Sequence, residues 1–184
     1  SINKNSKAYE VLTNLSSTKN NIILDFNYTA STRLILKQCG LSDEDIDNRL
    51  IKVHGEASNN DIIFGVEDNA GIKKEQVFLR KAYNIKYKAL NFSELYDRIK
   101  SVAIFGHSLG ETDHTYFNKL FQESCMYNKF STNNNKEFWL FYYKENGYHC
   151  MMQQLDSLTH NSLTSFRQYN RVNFINTDKE KVFI

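Results

Sequence analysis

SVAIFGHSLGETD, residues 101–113, is the stretch on which the fold turns. Val102–Phe105 is a short run of apolar residues, of the kind that forms a strand buried on both faces of a sheet. It breaks at Gly106 into a polar turn, and from Asp113 to Tyr127 apolar residues return at helical spacing. Strand, glycine-flanked turn and helix, in that order, is how α/β proteins build ligand sites at the carboxyl ends of their strands. The same letters contain Gly106–His107–Ser108–Leu109–Gly110, which fits the G-x-S-x-G nucleophile elbow of serine hydrolases. One segment therefore supports two chemistries, a ligand-binding turn and a catalytic serine.

Upstream, Ile22–Phe26, Leu50–Val53 and Ile62–Phe64 are further short apolar runs and predict strands. Helical patterns lie between them at Thr32–Gln38, which Gly40 stops, at Lys74–Tyr83 and at Phe92–Lys100. Residues 6–19 carry Ala8, Val11, Leu12 and Leu15 at helical spacing and predict an opening helix that Asn20–Asn21 ends. Downstream, the pattern predicts a strand at Phe138–Tyr143, a turn at Asn146–Gly147, a helix through about Leu163 and a strand at Val172–Ile175. Strands alternating with helices imply a three-layer α/β fold with a mainly parallel sheet. The expected organisation is one domain over 1–184, with a leading helix in 1–20, a motif-bearing core in 21–130 and a strand–helix–strand in 131–184.

Composition narrows the class. A chain of 184 residues with 41% apolar content buries one ordinary core. Its 23 basic and 21 acidic residues are well mixed and leave a formal charge of +2, so no footprint for nucleic acid or an acidic membrane is indicated. Cys39, Cys125 and Cys150 form no C-x-x-C pair, which signals neither a disulfide framework nor a zinc ribbon and fits a reducing cytoplasm. No apolar run approaches the ~18 residues of a membrane helix, and no signal-peptide pattern is present, so a cytoplasmic protein is expected.

Each early strand ends in a small polar or glycine cluster: Asn27–Tyr28–Thr29, His54–Gly55–Glu56, Gly65–Val66–Glu67–Asp68, and Gly106–His107–Ser108. In an open parallel sheet these ends line one edge, so the clusters are expected to be neighbours. Of seven glycines, Gly55, Gly65, Gly106 and Gly110 lie here. Ser108 and Glu111 also spell a capping box for the following helix, with Thr112 or Asp113 as alternative caps. Glu67 and Asp68 are adjacent loop acids, which point apart and read as solvated rather than as metal ligands, so no metal is expected. The aromatic run Phe138–Tyr143 reads as core and cover rather than as a base-stacking platform.

The blocks LDFNYT (24–29), KVHGE (52–56), IIFGVED (62–68) and IFGHSLGETDHTYF (104–117), in that order and spacing, resemble the bacteriophage abortive infection AbiH family. The same skeleton is similar to the wider sirtuin-like NAD-binding superfamily. That resemblance implies a sirtuin-like or Rossmann-like fold, a role in phage defence, an unidentified protein or phage trigger as partner, and NAD as ligand. Carried over by position, Asn27 contacts the nicotinamide ribose, with Tyr28 and Thr29 shaping the pocket. His54 is implied as the general base, beside Gly55, while Gly106 and Ser108 hold the adenosine ribose or a phosphate and Asp113 supports them. Such proteins begin with a strand and a glycine-rich phosphate loop, and nothing before Ile22 resembles one, so the amino-terminal strand–loop unit is expected to be lacking.

Three readings follow, the first of them implied by the resemblance. An NAD-cleaving enzyme would use His54, whose place after an apolar strand and before a glycine suits an imidazole acting on a ribose hydroxyl. A non-catalytic sensor or interaction domain would use the same crevice. A serine hydrolase would need an acid and then a histidine after Ser108. Asp156 and His160 have that order but lie within one predicted helix, and His149 precedes Asp156. His107, His114, His149 and His160 read as ordinary loop or helix histidines.

Overall fold

The computed structural model describes residues 3–18, 20–66, 70–84, 98–126 and 135–179. The fold is mixed α/β with small parallel sheets, and the chain divides into two compact units, one within Ser1–Ala89 and the other within Leu90–Lys181. Each unit has its own sheet.

The first unit contains α1 (Lys7–Ser16), β1 (Ile23–Asp25), α2 (Ser31–Gln38), α3 (Asp43–Asp47) and β2 (Leu50–Lys52). Helix α1 begins where the Ser6 hydroxyl accepts from the Tyr9 backbone N–H at 3.2 Å, and α3 where Ser42 accepts from Asp45 N–H at 3.1 Å. Strands β1 and β2 are parallel, with Leu24 opposite Ile51, and α2 with α3 supplies the crossover that parallel neighbours require. The core is Leu36, Ile46 and Leu50, with Leu12, Ile23 and Leu41 packed against it.

The second unit contains β3 (Ser101–Ile104), α4 (His114–Ser124), β4 (Glu137–Tyr142), α5 (Lys144–Leu158), α6 (Leu163–Tyr169) and β5 (Arg171–Asn176). Its sheet runs β3-β4-β5, all parallel, so Val102, Phe138 and Val172 lie side by side. The central strand buries Phe138, Leu140 and Phe141, while Trp139 and Tyr142 are half-buried and Tyr143 is exposed, so the aromatic run serves as core and cover. Helix α4 buries Tyr116, Phe117, Leu120 and Phe121, a stripe at helical spacing. Phe138 and Phe166 of α6 meet edge to face at 4.8 Å, and Phe121 stacks on Phe138 at 5.7 Å, so one aromatic cluster joins two helices to the middle strand. Each buried ring stabilises by about 1.5–3 kcal/mol.

Several expected elements differ. Ile62–Phe64 is not a strand; Ile63 N–H donates to the His54 carbonyl at 2.9 Å, and a lone parallel bridge joins Val66 to Arg80. That bridge explains the next difference, because Arg80 must be extended to make it. Lys74–Tyr83 therefore forms two 3₁₀ turns, Lys74–Leu79 and Lys81–Tyr83, instead of one α-helix. Residues 92–97 of the expected Phe92–Lys100 helix lie outside the described residues, and 98–100 are not helical. Asn146–Gly147 is no turn but part of α5, whose chain reversal sits earlier, at Lys144 with φ +56°. The expected helix through Leu163 breaks at His160 and Asn161, both with positive φ, and resumes as α6. Among the described residues no helix is long and apolar enough to cross a membrane.

Candidate functional site

The carboxyl edge of β1 and β2 is built around a buried charge. Asp25, the last residue of β1, is 4% exposed, and a carboxylate in that position needs a partner. The strand register puts Lys52 opposite it, and the Lys52 ammonium donates to Asp25 Oδ2 at 2.9 Å. The other oxygen, Oδ1, accepts from the Asn27 backbone N–H at 2.9 Å and from Asn27 Nδ2 at 3.2 Å. The same ammonium donates to the carbonyls of Asn27 and Thr29 and lies 4.0 Å from Glu56 Oε2.

His54 follows β2 and is 5% exposed. Tyr28 stacks on its ring at 5.9 Å and 29°, Phe26 meets it edge to face at 5.4 Å, and Phe64 continues the stack against Tyr28 at 5.4 Å. The Tyr28 carbonyl accepts from Ala57 N–H at 2.8 Å, which ties the loop after β1 to the loop after β2. Gly55, at φ +74°, lies against the Asp61 backbone, and the Asp61 carboxylate accepts from Glu56 N–H at 2.6 Å. Asn27, Tyr28, His54 and Gly55 are thus brought together as expected. Thr29 is exposed, its hydroxyl 2.9 Å from that of Ser31.

Gly106, Ser108 and Asp113 belong to the second unit. Gly106 has φ +65° and begins the turn after β3, Ser108 is exposed, and the fully buried Leu109 has φ +54°. His107 Nδ1 accepts from Leu109 N–H at 2.9 Å, which assigns the ring proton to Nε2, 3.3 Å from Asp113 Oδ2. His107 therefore shapes the turn, a role the motif letters did not suggest. His114 Nε2 approaches the Leu109 carbonyl at 3.0 Å and Gln154 Oε1 at 2.9 Å, holding the same turn from the helix side.

The capping box of Ser108 and Glu111 does not form. Gly110 precedes a 3₁₀ turn at Glu111–Asp113 and Asp113 precedes α4, neither with a side-chain cap. The Asp113 carboxylate faces His107 instead. The hydrolase arrangement is also missing among the described residues. Positive φ falls on Gly106 and Leu109 rather than on Ser108, His149 faces Glu145 at 3.8 Å, and His160 meets Gln122 at 3.0 Å. Glu67 and Asp68 lie outside the described residues.

A cavity of about 490 Å³ where β4 and β5 end, lined by Tyr142, Lys144, Tyr148, Asn176 and Lys179 among others, is not among the sites the sequence predicts. The rule applied to the earlier strands, a polar cluster following an apolar run, would have marked it at Lys144–Asn146 and Asn176–Lys179. The family model described as bacteriophage abortive infection AbiH matches residues 1–143 of the chain, and so includes both clusters described above. No curated protein and no solved structure matches it.

Proposed function

This chain belongs to the bacteriophage abortive infection AbiH family, and we propose that it acts in phage defence in the bacterial cytoplasm through a nucleotide site at the carboxyl ends of its parallel strands. Family membership supports the abortive-infection role. The convergence of Asn27, Tyr28 and His54 at the edge of β1 and β2 supports the site. In this reading the fold is sirtuin-like and the ligand is NAD. Asn27 orients the nicotinamide ribose or a water, with Tyr28, Thr29 and Gly55 shaping the pocket. The water oxygen bonds to the ribose carbon, the bond to nicotinamide breaks with its electron pair leaving on nicotinamide, and His54 takes the proton. Tyr28 has to swing aside for this, because it covers the imidazole.

The test is calorimetry with NAD, followed by chromatography of products, on the chain and on His54→Ala. Turnover lost in the variant, with the circular dichroism spectrum unchanged, is the expected result; absence of NAD binding by the unaltered chain would sink the reading. A second reading is favoured by the burial of His54 beneath Tyr28 and Phe26, which suits a structural histidine in a non-catalytic sensor or interaction domain. Plaque assays at matched protein levels separate the two, since undiminished defence by His54→Ala requires the second.

A further inference from the structure

One ammonium group joins the two loops at the edge of the first sheet. Lys52 donates to the carbonyls of Asn27 and Thr29, the two residues that flank Tyr28, and the Tyr28 carbonyl itself accepts from Ala57 N–H. Three successive carbonyls are therefore held, and the ring between them stays stacked on His54. The ammonium is anchored in turn by Asp25, whose side chain is 3% exposed. We propose that Lys52 is a positioning residue, a latch that keeps the Asn27–Thr29 loop closed over His54 and sets access to the imidazole. Its functional weight rests on His54 being the site's base, whereas the latch itself does not.

A lysine suits this task because one compact cation with three donors reaches a carboxylate and two carbonyls at once. Replacing it by an apolar chain frees both carbonyls and strands the Asp25 charge, so the loop opens locally. Arginine keeps the charge and offers donors to the same oxygens.

The experiment is ethoxycarbonylation of histidines by diethyl pyrocarbonate, followed residue by residue by mass spectrometry, with the exposed His149 and His160 as internal references. In the unaltered chain His54 is expected to react at least about tenfold more slowly than His149, the ratio that a local opening of modest cost imposes. Lys52→Met should remove most of that protection and Lys52→Arg should keep most of it. Leu36→Ala, which loosens the core of the same unit without touching the latch, should leave His54 protected. Protection surviving in Lys52→Met, or lost equally in Leu36→Ala, overturns the proposal. If Lys52→Met fails to fold, Asp25→Asn combined with Lys52→Met removes the stranded charge and is read in the same way. Should the protection pattern hold while His54→Ala retains full NAD turnover, the latch stands and the base assignment fails.

Discussion

Gly55→Ala should destabilise the chain well beyond an ordinary glycine substitution, and the excess can be worked out from the backbone. At φ +74° an alanine is held in the left-handed region, which costs roughly 1–2 kcal/mol. Its methyl would also run into the Asp61 carbonyl, with the carbonyl carbon 2.7 Å away, and main chain does not yield as a flexible side chain does. Forcing that contact adds about 1–3 kcal/mol. Gly40→Ala is the control, because Gly40 has φ +91° and no atom within 4 Å of the added methyl. Both variants share the conformational cost, and both lower the entropy of the unfolded chain, so these contributions largely cancel between them. The remaining difference of about 1–3 kcal/mol corresponds to a separation of roughly 1 M in urea midpoint, followed by circular dichroism. Variants that unfold within about 0.5 kcal/mol of each other would show that Asp61 does not back Gly55. A Gly55→Ala chain of near-normal stability that has lost nucleotide binding would give Gly55 its role in ligand approach instead of packing.

Ser108→Ala should leave the thermal midpoint nearly unchanged, within about 0.5 kcal/mol, whereas a formed capping box would have made it cost about 1 kcal/mol. Burial pushes the Cys125 thiol up, and its S–H lies 3.2 Å from the Phe121 carbonyl, so iodoacetamide at neutral pH should alkylate the exposed Cys150 first, with the gap narrowing as pH rises. Mass spectrometry of peptides checks the order. The Asp43 carboxyl is held below its ordinary range, first by its hydrogen bond from Lys37 and then by the nearby Arg33. Its small stabilisation is therefore present above the ordinary carboxylate value and fades as pH falls through the lowered one. Titration by NMR should show the Asp43 midpoint rising in Lys37→Met.

The sequence carried the elements whose periodicity is enforced by burial. β4 was legible because Phe138 and Leu140 fill the core from one strand, and α4 because Tyr116, Phe117, Leu120 and Phe121 form a stripe. Helix α3 was passed over, since a five-residue acidic segment with Ile46 as its one buried side chain has no period to read. Ile62–Phe64 misled for the opposite reason. Its three apolar residues look like a strand, yet Phe64 is exposed and engages Tyr28 through its ring, so its hydrophobicity serves an aromatic stack instead of a sheet. Asn146–Gly147 are turn-forming letters, but the first turn of a helix tolerates them because its N–H groups have no partner within the helix.

The site divides along the same line. Asn27, His54 and Gly55 stood out because their residue types announce chemistry, and the edge of β1 and β2 does gather them with Tyr28. Lys52 did not stand out, although its ammonium meets Asp25, two loop carbonyls and Glu56 at that edge, because in the sequence it is a lone cation inside an apolar run. Only the parallel register, which sets it opposite Asp25, turns it into the partner of a buried carboxylate. His107 is the converse case. The motif drew attention to its neighbour Ser108 as nucleophile or cap, but the bond from Leu109 N–H and the facing Asp113 make the histidine the residue that gives the turn its shape. In both places the pattern located the loop, while the side chain that governs it was decided by which backbone groups the fold left needing a partner.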